Sequence, residues 1–273
     1  MKNIIVPIDF SNTSAYALEV AASIAKEKSA TLYVLHMLEL NRAMLTSTEG
    51  FHPEQTVFLI KLAEKHLNEF LDKPYLKDVK VVPIIKHYKV FAEIANVAKE
   101  KDADLIVMGS EGADGLKEMF VGSNTEKVVR NSDIPVLVIK SRISDFSPRE
   151  IVFACDLKNE NIHAFQRAKA IADAFSAELK LVYVNTPGDD FLSTAEIQEK
   201  IRSFSELVGF DLLIAIYNDY NVERGVLNFG IETGADMIGV PTHGRKGLSH
   251  FFMGSIGEDI ANHASKPVVT FKI

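Results

Sequence analysis

The stretches KNIIVPID (residues 2–9) and REIVFACD (residues 149–156) share one pattern, a short apolar run that closes on an aspartate, Asp9 in the first and Asp156 in the second. A continuous apolar run of this length predicts a strand buried on both faces. Each run leads into a helical pattern. Ala17, Leu18, Ala21, Ile24 and Ala25 share one helical face after the first, and Phe165, Ala168, Ile171, Ala172 and Phe175 share one after the second. Ser11 or Asn12 is placed to cap the first of these helices.

The likeness continues outward from these two strands. TLYVLHM (31–37) matches ELKLVYV (178–184), ADLIVMG (103–109) matches ADMIGVP (235–241), and IPVLVIK (134–140) matches KPVVTFK (266–272). Asp9 and Asp156 lie 147 positions apart, as do His36 and Tyr183. Gly112 and Gly244, Gly122 and Gly254, and Pro135 and Pro267 each lie 132 apart. One offset, changed once by 15 residues between the second and fourth strands, is the signature of an internal repeat. Helical patterns at 54–72, 91–101, 194–207 and 222–232 alternate with the strands. The expected fold class is therefore α/β, with two doubly wound domains, each a five-stranded parallel sheet. The domains are placed at 1–141 and 149–273, with the polar segment SRISDFSPRE (141–150) as the linker. The last strands, Pro135–Lys140 and Pro267–Lys272, are apolar on both faces and form sheet edges, which predicts that they pair and make an intrachain pseudo-dimer. The additional residues of the first copy, 39–53, are expected at the mouth of its pocket.

Composition narrows the function. The chain has 273 residues, a net charge of −7 and 47% hydrophobic residues. With no basic run, a nucleic-acid partner is not expected. A single cysteine, Cys155, fits a reducing compartment, and the apolar run Ile4–Ile8, interrupted by Pro7, is too short for a membrane span. The expectation is a cytoplasmic protein without a membrane partner.

In a doubly wound sheet, ligands bind beyond the carboxyl ends of the strands, where the strand order reverses. In the first copy that region carries Asp9 and the sequence GSEGADGLKEMFVGSN, with Gly109, Gly112 and Gly122–Ser123 spaced G-x2-G-x9-G-S. Glycines let backbone amides approach an oxyanion, and a helix that starts there adds its positive end. A G-x4-G-K-[ST] loop, a G-x-S-x-G elbow and a G-x-G-x-x-G after either first strand are all missing, so no catalytic residue is singled out.

This spacing, together with the V-P-I-D context of Asp9 and the second copy's THGRKGLSHFFMGSIGEDIANHASKPV, resembles the universal stress protein family in its tandem form, and the first copy resembles that family's ATP-binding branch. The resemblance implies an adenine nucleotide alpha hydrolase-like fold and a stress-response regulator rather than an enzyme. It implies ATP, or AMP or ADP, as the cofactor, with magnesium as a companion ion. The implied site is Pro7 and Asp9 at the strand end, Met37 meeting adenine through its backbone, Gly109 and Gly112 facing ribose and phosphate, and Gly122, Ser123 and Asn124 holding phosphates. The second copy has Asp156, Val184, Pro241, Gly244, Gly254, Ser255 and Ile256 at the matching positions. Pro241 in place of Gly109 removes an amide and fixes φ, so nucleotide is expected mainly in the first copy. The rival readings are an interaction scaffold with vestigial pockets and a slow ATPase. The protein partner is not named by the sequence, and a homodimer of the whole chain is left open.

Overall fold

The structure is a computed structural model that describes residues 1–38, 53–87, 90–110, 123–189, 191–242, 260 and 263–273. The first copy comprises β1 (Asn3–Ile8), α1 (Asn12–Lys28), β2 (Thr31–Leu38), α2 (Pro53–Leu71), β3 (Lys80–His87), α3 (Val90–Glu100), β4 (Leu105–Gly109), α4 (Ser123–Asn131) and β5 (Val136–Ile139). The second comprises β6 (Glu150–Ala154), α5 (Ile162–Phe175), β7 (Glu178–Asn185), α6 (Thr194–Val208), β8 (Ile214–Asn218), α7 (Val222–Glu232), β9 (Met237–Thr242) and β10 (Val268–Lys272). Residues 39–52, on which the pocket-mouth expectation falls, lie outside the described residues. No helix among the described residues is long and apolar enough to cross a membrane.

The strands form one ten-stranded sheet in the order β3-β2-β1-β4-β5-β10-β9-β6-β7-β8. Within each copy every pair is parallel, and the order reverses between the first and fourth strands of that copy. Only the central pair is antiparallel, and it joins the last strands of the two copies as their apolar pattern predicts. Val138 faces Val268, Leu137 faces Val269 and Val136 faces Thr270. Leu137 and Val269 are repeat equivalents, 132 positions apart, so the pseudo-two-fold axis passes through that pair.

Side-chain contacts repeat the symmetry. Lys272 Nζ donates to the Asn131 carbonyl at 3.5 Å, at the end of α4, and lies 2.7 Å from Asp133 Oδ1. Its equivalent, Lys140, donates to the Ala264 carbonyl at 2.9 Å in the other copy. Each copy thus supplies a cation to terminal carbonyls of its neighbour, where the partial negative charge of a helix end collects. Lys272 also holds the Asp133 carboxyl below its ordinary pKa.

The two sheet faces differ. On the face covered by α1 and α5, one apolar cluster runs through both copies, from Ile4 and Leu18 through Leu137 and Phe153 to Phe271. On the other face each copy keeps its own cluster. The segment read as a polar linker is part of the shared core. Phe146 is buried and meets Phe175 edge-on at 5.9 Å, and Arg142 makes a two-pronged contact with Glu19 of α1. Burial of a phenylalanine contributes about 2–3 kcal/mol, enough to pin the connection to the sheet.

Candidate functional site

In the first copy the reversal of strand order is marked by a ladder that stops short. β1 and β4 are bridged at Ile4–Leu105 and Ile5–Ile106 and no further, although β1 stays paired with β2 as far as Ile8–His36. Pro7 lies beyond the last bridge to β4, buried, with no N–H to offer. The second copy repeats the device from the opposite strand. Its β6–β9 bridges end at Phe153–Gly239, and Pro241 lies just beyond. Unbridged strand ends at a reversal of strand order leave backbone groups and loops to line a ligand crevice.

Asp9 is exposed, and its Oδ1 accepts from the Ser11 amide at 3.0 Å and the Ser11 hydroxyl at 2.5 Å. Ser11 in turn caps α1 by accepting from the Ser14 amide at 3.1 Å. Asp9 therefore positions the cap rather than serving as it. Between them, Phe10 holds φ of 65°, a left-handed conformation that costs a non-glycine residue about 1–2 kcal/mol. Leu157, 147 positions later, holds φ of 61°. No sequence signal marks this residue, because neither phenylalanine nor leucine favours the conformation. Only the repeated position, directly after the strand-end aspartate, could have drawn notice.

Phe10 stacks on His36 with ring centroids 4.4 Å apart and meets His66 and Phe70 of α2 edge-on. His36 Nδ1 lies 3.2 Å from the Ile8 carbonyl. Burial holds the His36 imidazole below its ordinary pKa, against the opposing pull of the Ile8 carbonyl and Asp9. Sequence reading used His36 only as a register marker. The structure makes it a wall of the strand ends beside Asp9.

Gly109 closes β4, and its φ is not positive, so backbone freedom does not explain it. A Cβ there would lie 2.6 Å from the Thr13 carbonyl carbon and 2.9 Å from the Ser14 amide nitrogen. The glycine is required because the first turn of α1 passes directly against the end of β4. Proline at this position therefore differs from Gly109 through its ring atoms as well as through its missing amide. The Gly109 carbonyl accepts from the buried Thr125 hydroxyl at 2.8 Å, which ties the start of α4 to the end of β4. Ser123 opens α4 and Asn124 follows it, exposed. Met37, near the end of β2, is half-buried against the cluster on the α3 and α4 face. Pro7, Asp9, Gly109 and the α4 start thus gather at one end of the sheet, with Met37 one strand away. Gly112 and Gly122 lie outside the described residues.

The matching region of the second copy is built differently. Lys158 stands where the first copy has Ser11. Its amide donates to Asp156 Oδ1 at 3.1 Å and its Nζ lies 3.4 Å from Asp156 Oδ2. No side chain caps the turn, a 3-10 helix (Asn159–Asn161) replaces the first turn of the α-helix, and Asn161 is fully buried with its amide donating to Asp156 Oδ1. Asp156 is itself 9% exposed. Pro241 carries ring carbons at the position where Gly109 of the first copy tolerates none.

A doubly wound sheet whose ladder stops short at the reversal of strand order, present twice and fused edge to edge, defines a tandem Rossmann-like α/β protein. Its first copy adds an exposed strand-end aspartate beside a serine-capped helix start. The profile of the universal stress protein family matches residues 1–140 and 216–272, and the chain belongs to that family. It is 38% identical over 143 residues to universal stress protein YxiE of Bacillus subtilis, covering 50% of this chain and 97% of that protein. To universal stress protein MJ0577 of Methanocaldococcus jannaschii it is 32% identical over 157 residues, covering 52% and 97%. A universal stress protein from Archaeoglobus fulgidus shares the fold over 99% of this chain and 98% of its own, with a TM-score of 0.75 and 22% identity. The unmatched interval, 141–215, contains Asp156, Lys158 and the rebuilt turn.

Proposed function

We propose that the chain is a stress-response regulator that binds adenine nucleotide in the crevice of its first copy, between residues 1 and 141. The observation that carries this reading is the asymmetry at the strand-end aspartate. Asp9 is exposed beside a serine-capped helix start, whereas Asp156 is buried and neutralised by Lys158. A helix start close to a second one at Ser123 suits phosphate oxygens, since first-turn amides lack partners within the helix and its dipole end is positive. The spacing of Gly109, Gly112 and Gly122 supports this reading through the family resemblance, Met37 stands near the strand end suited to adenine, and Asn124 adds an exposed side-chain amide. An exposed carboxylate beside phosphates also fits a magnesium ion, which would be shared between Asp9 and the nucleotide and would neutralise phosphate charge. In the second copy the Lys158 ammonium already occupies the neighbourhood of the carboxylate, leaving no place for such an ion.

Calorimetric titration with ATP and magnesium tests the proposal. The unmodified chain is expected to bind one equivalent. Gly122→Phe should remove contacts worth roughly 3–4 kcal/mol and weaken affinity several hundredfold, while Gly254→Phe should change little. Equal losses from the two variants, or no binding by the parent chain, would favour an interaction scaffold instead.

A further inference from the structure

The ten-stranded sheet has two outer strands, β3 and β8, and they are finished differently. β3 carries Lys80, Pro83 and Lys86. Lysines and a residue without an N–H keep a strand edge from recruiting another chain. β8, with the sequence IAIYN, has no charge and no proline, and among the described residues it pairs only with β7. Around it Leu207 is 52% exposed, Phe210 47%, Leu213 96% and Tyr220 77%. Single exposed apolar residues are ordinary, but here Leu213 directly precedes the outer strand and Tyr220 follows two residues after it, so both ends of a bare edge are apolar.

We propose that β8 is a docking strand for a second copy of this chain, paired antiparallel with its own counterpart about a two-fold axis at Ala215. In that register Ile214 faces Ile216, Leu213 faces Tyr217, and Phe210 comes level with Tyr220. Opposed residues share a sheet face, and each pair is apolar, the arrangement that stabilises antiparallel strands. From Leu212 to Asn218 the edge is uncharged, so self-pairing sets no like charges together there. The nearest carboxylates, Asp211 and Asp219, come level at the ends, where Arg224 at 3.4 Å and the Asn228 amide at 2.8 Å already hold Asp219. The β5–β10 pair shows the same solution inside the chain, each central residue facing its repeat equivalent. A two-fold contact closes on itself, whereas β8 on β3 would run on as a filament, and the proline and lysines of β3 oppose that.

Sedimentation of the full chain at ~50 μM, well above the dissociation constant of an ordinary dimer, should give twice the chain mass of 30.3 kDa. Leu213→Glu, at a side chain with almost no contacts to lose, should raise the dimer dissociation constant at least about tenfold with an unchanged circular dichroism spectrum. Ala215→Cys should cross-link through its own counterpart on oxidation. Cys155 does not compete, because it is buried and its thiol is pushed up to about 12. Phe58→Cys, exposed on α2 of the first copy, should not cross-link. A monomer at this concentration overturns the proposal. So does a dimer that withstands Leu213→Glu and leaves Ala215→Cys uncross-linked, since its contact would lie elsewhere.

Discussion

Gly109 shows how a residue read as a ligand-binding glycine is first a packing glycine. The sequence singled it out by position, at the end of β4 and 132 residues before Pro241. The reason was not legible, because the atoms that exclude a side chain belong to Thr13 and Ser14, almost a hundred residues away. Backbone atoms at 2.6 Å cannot swing aside as a flexible side chain does. Gly109→Ala should therefore lower the unfolding free energy by about 2–3 kcal/mol, the usual cost of overpacking. Urea denaturation followed by circular dichroism measures it, and a loss near zero would mean that the start of α1 yields easily. Asp9 follows the same logic. A strand-end aspartate followed by a serine was visible, but that the carboxylate holds the capping hydroxyl depends on the left-handed Phe10 between them.

At the scale of elements, periodicity was sufficient where a helix carries its own start and stop signals. The pattern at 194–207 became Thr194–Val208, with Ser193 and Glu196 forming a reciprocal capping box and Gly209 ending the helix at φ of 86°. These signals are local, so the helix begins and ends where its sequence says. Ser193→Ala should cost about 1 kcal/mol of stability, as capping serines do. Thermal unfolding would register it, and an unchanged midpoint would show that packing of Ile197, Ile201 and Phe204 alone holds the helix. α5 marks the opposite case. The apolar spacing from Phe165 to Phe175 was clear, but the replacement of its first turn by a 3-10 turn was not. That turn carries Asn161, whose amide donates to Asp156 at the end of the preceding strand, a contact no local pattern announces.

At the scale of the whole molecule, the two copies behave as a dimer whose subunits happen to be covalently joined. Among the described residues their contact includes the β5–β10 pair, the reciprocal Lys140 and Lys272 caps, and a core continuous on one face. The isolated stretch 1–141 would keep β5 on β4 but leave its other edge unpaired, and it is expected to form a homodimer with Leu137 of one copy facing Leu137 of the other. Light scattering after gel filtration tests this. A monomer at ~100 μM would show that β5 alone does not drive association and that the pinned linker is needed.

The sequence by itself determined the repeat, the α/β alternation, the apolar last strands and the end of the sheet where Pro7, Asp9, Met37 and Gly109 gather. All of these follow from periodicity and from spacing along the chain, which a repeat reports twice. Only the tertiary structure decided that one copy's aspartate is exposed and the other's is buried against a lysine, that Phe146 joins the shared core, and that β8 is left bare. Those outcomes depend on which distant backbone or side chain arrives at a given point in space, and spacing along one chain does not encode that.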